Sequence, residues 1–270
     1  MLWSIFALLS AVFDASFFAL LKRSMKRLQP YALVAVTYLL GSLVLFSIAL
    51  ARGIPPLGQA LFPAVAGSAV LTAGALLLIL KALEDTDLSL AMPMLAFTSL
   101  FLIMTSFLFL GELPSLLGSV GIALIVLGSL ILNRFSFRRK KGLALMLGVA
   151  LIYSVLANVD KIVVLNSDVF FGSSLTLFLI GLFFLILGRK SLTLPTLKAG
   201  VLLGGVLAAM MIAVNLAYSL QIVPYVIAIK RTAILFSVIY GGVLFKEGKF
   251  GLRLAGAAVM LAGVLVILLS

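Results

Sequence analysis

Long apolar runs of about 20 residues, separated by short polar breaks, make up almost the whole of this 270-residue chain. A run of that length crosses the hydrocarbon core of a bilayer as an α-helix, because each helical residue adds about 1.5 Å of rise. The pattern therefore predicts an all-α integral membrane protein with ten transmembrane helices, over residues 2–21, 31–50, 61–81, 88–110, 115–133, 142–164, 169–187, 199–220, 223–245 and 250–269.

The composition points to the same class of protein. Hydrophobic residues make up 64% of the chain and charged residues 10%, whereas a soluble domain is about 25% charged. Cysteine and histidine are absent, which argues against thiol and imidazole catalysis and against zinc or haem sites. We therefore expect neither an enzyme nor a bound metal or cofactor.

The formal net charge is +12, from 20 basic and 8 acidic residues. In a soluble protein this excess would suggest nucleic-acid binding. Here the basic residues cluster in short loops between apolar runs, so we expect membrane lipids as partners and no nucleic acid. The basic residues are concentrated in every second loop, which places both termini outside the cytoplasm by the positive-inside rule. We expect a multi-pass protein of a prokaryotic inner membrane.

The chain repeats itself when it is shifted by half its length, 135 residues. The shift superposes identical residues near the ends of the two halves, Glu112 on Glu247, Gly121 on Gly256 and Gly128 on Gly263. Each half holds five predicted helices, an odd number, so the second half enters the membrane from the opposite side. We predict two inverted five-helix domains, residues 1–137 and 138–270, with a binding site between them near the membrane midplane.

Some repeated residues have structural interpretations. The glycines lie seven residues apart, on one face of each helix, where small residues let two helices approach closely. We interpret them as packing positions. Glu112 and Glu247 stand at equivalent helix ends, and we expect them to fix the turn between the last two helices of each half.

Lys230 and Arg231 are adjacent inside the ninth apolar run, roughly 9 Å from Pro224 along the helix. Two cations at that depth cost several kcal/mol unless an anionic group neutralises them. The equivalent residues of the first half are Leu95 and Ala96, so the pair breaks the repeat. One hypothesis is a clamp for an anionic substrate, with a bidentate arginine and a lysine point charge. The other is a salt bridge within the chain.

Asp14 is an acidic residue inside the first apolar run, about 12 Å before Lys22. An unpaired carboxylate at that depth is expected to be protonated, and it could couple transport to protons as it is exposed to each side. Alternatively, Asp14 is the partner of Lys230 or Arg231. The sequence leaves both roles open.

Other polar residues in the apolar runs give weaker signals. Thr98 and Tyr153 could line a cavity, and Asn215 could bind substrate or join two helices by a hydrogen bond. Asp160 and Lys161 are adjacent near the end of the sixth run, a pattern typical of an interfacial ion pair.

Two five-helix halves, each ending in a glutamate followed by two spaced glycines, resemble the EamA-type transporters of the drug/metabolite transporter superfamily. The residues that carry the resemblance are Leu110-Gly111-Glu112 with Gly121 and Gly128, and Phe245-Lys246-Glu247 with Gly256 and Gly263. The resemblance implies a central cavity between the halves and alternating access by rocking. The basic pair is similar to one that binds phosphate in the ninth helix of plastid triose-phosphate translocators. Asp14 is similar to the first-helix carboxylate of small multidrug resistance proteins.

The expected function is secondary transport of a small organic metabolite, anionic or zwitterionic, such as a phosphorylated metabolite or an amino acid. Lys230, Arg231, Asn215, Tyr153 and Thr98 are the predicted substrate-binding residues, and Asp14 is the predicted proton-coupling residue. The alternatives are a cationic drug exporter that depends on Asp14 and a lipid or lipid-phosphate flippase. We expect a monomer or a homodimer.

Overall fold

A computed structural model describes residues 2–85, 91–132, 140–236, 240 and 251–270. These residues form helices joined by short connections, and no β-strand occurs among them. Two 3₁₀ segments, Met92–Ala96 and Arg189–Ser191, precede α4 and follow α7. The α-helices are α1 (Leu2–Met25), α2 (Pro30–Arg52), α3 (Leu61–Asp85), α4 (Phe97–Leu110), α5 (Leu116–Leu132), α6 (Lys140–Leu165), α7 (Phe171–Gly188), α8 (Leu194–Tyr218), α9 (Val223–Lys230) and α10 (Gly251–Leu268).

Seven helical spans among the described residues are long and apolar enough to cross a membrane. Two shorter apolar helices, Leu116–Ile131 and Ala255–Leu268, lie within α5 and α10. The prediction of an all-α, multi-pass membrane protein is confirmed. Glu247 and its Phe245–Glu247 motif lie outside the described residues, so its predicted role at a helix end stays a prediction.

Helix α1 illustrates why these helices belong in lipid. Up to Ala15, its buried face holds small residues and one charged residue, among them Ala7, Ala11 and Asp14. Its exposed face carries large apolar side chains such as Leu2 and Leu9. Small residues on the inside allow close helix contacts, while large apolar residues on the outside suit the hydrocarbon core.

The repeated glycines pack α5 against α10, as predicted. A Cβ atom on Gly128 would lie 2.6 Å from the carbonyl oxygen of Gly256, and one on Gly121 would lie 2.8 Å from that of Gly263. Both distances are shorter than any ordinary contact of a Cβ atom, so only glycine fits at these positions. Residue numbers rise along one helix as they fall along the other, which makes α5 and α10 antiparallel.

The remaining helices pair across the two halves of the chain. Helix α1 packs on α8, α2 on both α7 and α8, and α3 on both α6 and α7. Helix α4 contacts α6, and α9 contacts α1. Because α1–α3 thus face α6–α8, polar side chains on these six helices can converge between the halves.

Candidate functional site

A cavity of about 90 Å³ lies where the two halves meet. Its lining comes from α1, α2 and α3 on one side and from α6 to α9, with Arg231, on the other. Four charged side chains line it, namely Asp14, Asp160, Lys230 and Arg231. Most of the remaining wall is aromatic or aliphatic. The volume is several times the roughly 10–15 Å³ that one water molecule requires, so the charged groups border a space that solvent or a small solute can enter.

Asp14 and Lys230 form an ion pair in this cavity. Lys230 Nζ lies 3.4 Å from Asp14 Oδ1, and the two side chains are 14% and 7% exposed. Asp14 reaches the cavity because it falls on the same buried face of α1 as Ser10 and Phe17, at helical spacing. For Lys230, the structure therefore contains the internal salt bridge that the sequence left as one of two possibilities.

Arg231 has a different environment from its neighbour. It is 4% exposed and lines the same cavity, yet within the described part of the chain it forms no ion pair. Its Nε atom is buried and has no hydrogen-bond partner there. Burial of a guanidinium is unfavourable, and the carboxylate of Asp14 offsets part of this cost from beyond ion-pair distance.

The backbone changes geometry at this point. Helix α9 ends at Lys230, and the next amides form tighter bonds, with Thr232 N donating to Ile229 O at 2.9 Å and Ile234 N donating to Arg231 O at 3.0 Å. Three-residue spacing of this kind marks a local departure from the α-helix. Broken helices recur at the binding sites of secondary transporters.

Asp160 is a cavity residue that sequence reasoning missed. Asp160 and Lys161 do not form the expected interfacial pair. Asp160 Oδ1 accepts a hydrogen bond from Ser68 Oγ at 2.5 Å, whereas Lys161 pairs with Glu112. Adjacent residues on a helix point about 100° apart, which separates them. The signal in the sequence was the seven-residue spacing of Asp160 from Tyr153, which places both on one face of α6.

The other predicted binding residues divide into two groups. Tyr153 lines the cavity, as expected. Asn215 and Thr98 are fully buried but are not part of its described lining. Asn215 Nδ2 donates to Val169 O at 3.1 Å and to Ser173 Oγ at 2.7 Å. Asn215 therefore joins α8 to the start of α7, the second of the two roles considered for it.

Glu112 contacts residues far along the chain, whereas its predicted role was to fix the turn between two consecutive helices. It pairs with Lys161 of α6 and accepts a hydrogen bond from Val223 N, the first residue of α9, at 2.8 Å. Lys161 Nζ also donates to Gln221 O at 2.9 Å. We name Glu112, Lys161, Gln221 and Val223 the end cluster. It ties the α4–α5 connection and α6 to the α8–α9 connection.

The acidic side chains of the described residues do not gather into one cluster. Among the described residues, no three His, Cys, Asp or Glu side chains come together as a metal site would require. The cavity carboxylates instead contact a lysine and a serine hydroxyl. The arrangement can bind and neutralise charged groups.

A multi-pass helical membrane protein whose charged side chains meet in an internal cavity has the features of a small-molecule transporter. Residues 1–134, the first half of the chain, match the EamA-like transporter family. The match confirms the resemblance to EamA-type transporters and indicates a membrane transporter of small molecules.

The fold is also seen in a solved structure described only as the crystal structure of a protein. That chain is 17% identical, with a TM-score of 0.78, and the match covers 98% of this chain and 97% of that one. At this identity the likeness shows the fold alone, but it extends over both halves. No curated protein matches the sequence.

Proposed function

We propose that this protein is a secondary active transporter that moves a small anionic or zwitterionic metabolite by alternating access. Ten transmembrane helices form two inverted five-helix repeats, residues 1–137 and 138–270, in a prokaryotic inner membrane. The observation that carries the proposal is the convergence of Asp14, Asp160, Lys230 and Arg231 on one cavity between the halves.

The pairing of helices supports the inverted repeat. An inverted repeat exchanges α1 with α6, α2 with α7, and so on to α5 with α10. Under this exchange the contact between α1 and α8 becomes a contact between α6 and α3, and the contact between α4 and α6 becomes one between α9 and α1. All four contacts occur. The pairs α5–α10 and α2–α7 map onto themselves, as contacts on a two-fold axis must. A pseudo-two-fold relation of this kind lets the two halves rock to open the cavity to each side in turn.

Substrate binding and proton coupling follow from the ion pairs. Arg231, buried without an ion pair among the described residues, binds the negative group of the substrate. The same group then competes with Asp14 for Lys230, which lies 3.4 Å from the carboxylate. When Lys230 moves to the substrate, Asp14 loses its nearest cation, and this carboxylate is the proposed proton-coupling group. Substrate and proton binding therefore favour each other, and the two move in the same direction.

Transport by purified protein in liposomes tests this proposal. The probes are the twenty radiolabelled amino acids and glycerol 3-phosphate, for the zwitterionic and phosphorylated classes, and ethidium for a cationic drug. We expect Arg231→Gln and Lys230→Gln to abolish uptake of the transported probe while the proteins remain folded. The matched control is Lys190→Gln, because Lys190 is basic but exposed outside the cavity.

Proton coupling is tested in the same liposomes with an inward proton gradient. The gradient should accelerate uptake by the wild-type protein and have no effect on Asp14→Asn. Normal uptake of an anionic or zwitterionic probe by Arg231→Gln would refute the anion clamp. Ethidium transport that requires Asp14 but tolerates Arg231→Gln would establish a cation exporter instead.

A further inference from the structure

We infer that a groove between the end of α1 and the start of α8 is a binding site for an anionic phospholipid. The groove has a volume of about 930 Å³ and shares no described lining residue with the central cavity. The inference goes beyond the proposed function, because it does not depend on which substrate is transported. We call this surface the basic groove, and it is defined by Leu20, Arg23, Arg27, Pro195, Ala199 and Leu202.

Basic side chains stand at one end of the groove. Arg23 and Arg27 are four residues apart, so they lie on the same side of the chain about 6 Å from each other along the helix direction. Both are exposed, and neither forms an ion pair with a described residue. Lys26 lines the groove as well and takes part in another interaction. No acidic residue occurs among the described residues of the lining, so the groove attracts a negative group.

The backbone after α1 holds the two arginines side by side. The amides of Arg27 and Leu28 both donate to the carbonyl oxygen of Ser24, each at 3.0 Å. These bonds join residues three and four positions apart, which is helical spacing. The chain therefore continues as one more helical turn beyond the end of α1, and this turn places Arg27 above Arg23.

The wall of the groove becomes apolar away from the arginines. On α8, Pro195, Ala199 and Leu202 follow at intervals of four and three residues, which puts them on one face over about 10 Å of helix. On α1, Leu20 lies about one turn deeper in the membrane than Arg23. A phospholipid has the same order of groups along the membrane normal, with a charged headgroup at the surface and acyl chains beneath it.

These features favour an anionic phospholipid over other ligands. Arginine binds phosphate oxygens through two parallel hydrogen bonds, and basic pockets between membrane helices bind anionic headgroups. The cationic group of a zwitterionic lipid would be repelled by the basic end of the groove. A small soluble anion would leave Leu202, which is 57% exposed, without a contact. The volume falls within the range of roughly 300–1,000 Å³ that is common for ligand sites.

The experiment measures thermal stabilisation of the purified full-length protein in a non-ionic detergent, after removal of co-purified lipid. The probes are dioleoylphosphatidylglycerol, dioleoylphosphatidylcholine with the same acyl chains, and glycerophosphoglycerol, which is the anionic headgroup without acyl chains. We expect phosphatidylglycerol to stabilise the wild type more strongly than either of the other probes.

Charge removal tests the basic end of the groove. The double variant Arg23→Gln/Arg27→Gln should weaken binding of phosphatidylglycerol about tenfold or more. The matched control is Arg189→Gln/Lys190→Gln, which should change this binding less than twofold. Both control residues are basic and exposed, they lie in the connection before α8, and they do not line the groove.

A second pair of variants tests the apolar wall without changing any charge. Leu202→Trp places a bulky ring in the groove and should weaken binding of phosphatidylglycerol. Its control is Val201→Trp, because Val201 is similarly exposed, at 62% against 57%, but does not line the groove. If the arginine variant does not fold, this pair decides the question by itself.

Four results would overturn the inference. Equal stabilisation by phosphatidylcholine would show that the headgroup charge is not recognised, and equal losses in the two glutamine variants would show only a general attraction to surface charge. Binding of glycerophosphoglycerol as tight as that of phosphatidylglycerol, with the same dependence on Arg23 and Arg27, would establish a site for soluble anions. Equal effects of the two tryptophan variants would remove the acyl-chain contact. None of these results would bear on the transport proposed for the central cavity.

Discussion

The buried ion pair between Asp14 and Lys230 allows a quantitative test of the cavity. At their separation of 3.4 Å and an effective dielectric constant of about 20, Coulomb attraction is worth about 5 kcal/mol. The cost of removing both charges from water offsets much of this gain, so the intact pair adds little net stability. Removing one partner is different, because the other charge then stays buried and unpaired.

We therefore expect each single variant, Asp14→Asn and Lys230→Met, to lower the free energy of unfolding by about 3 kcal/mol. The double variant should lose much less than the sum of the two, because it leaves neither charge alone. The coupling energy from this double-mutant cycle should be about 2–3 kcal/mol. Reversible unfolding in mixed detergent micelles measures all four proteins under one set of conditions.

Arg231→Met is the matched comparison at the next position. Arg231 has no ion pair among the described residues, so its removal should leave stability unchanged or raise it. The two neighbouring basic residues are thus expected to respond differently, because removing Lys230 lowers the free energy of unfolding and removing Arg231 does not. A coupling energy below about 0.5 kcal/mol would show that Asp14 and Lys230 act independently, and a loss of stability in Arg231→Met equal to that in Lys230→Met would show that Arg231 is already paired.

Two further predictions concern the packing of the helices. Gly128→Ala should lower the free energy of unfolding by about 1–3 kcal/mol, because the added Cβ would lie 2.6 Å from the backbone of α10. The control is Gly74→Ala, which should not destabilise α3 because no atom lies within 4 Å of its Cβ position. Equal losses of stability in the two variants would argue against a tight α5–α10 contact. Glu112→Gln should leave Lys161 buried without its counter-charge. We expect faster hydrogen exchange of the Val223 amide, which donates to Glu112. An unchanged exchange rate would show that the end cluster does not hold the start of α9.

Some properties of the site could be predicted from residue type and position alone. Lys230, Arg231 and Asp14 were identifiable because a charge in an apolar run is costly and must be accounted for. Tyr153 was a weaker prediction that agrees with the cavity lining. Asn215 was equally polar and equally deep, and the sequence offered no means of deciding whether it faced a cavity or another helix.

Asp160 shows the limit of reasoning from neighbours in the chain. Its adjacent lysine made an interfacial pair the simplest interpretation, but Lys161 contacts Glu112, 49 positions away in the chain. Which side of α6 faces the cavity depends on how α6 packs against α3 and α4. Polar residues of α6 such as Asp160 and Lys161 point to different neighbours, so their positions along the chain alone do not show which side faces the cavity.

The sequence by itself determined the class of protein and the repeat, because the length of an apolar run and the register of identical residues are properties of the chain alone. It also identified Asp14, Lys230 and Arg231 as charged groups inside apolar runs. Only the tertiary structure decided which charges neutralise one another, since ion pairs form between helices distant in sequence. It paired Lys230 with Asp14, left Arg231 without an ion pair among the described residues and brought Asp160 into the cavity. The physical reason is that membrane depth is set by position along a helix, whereas partners are set by rotation and packing between helices.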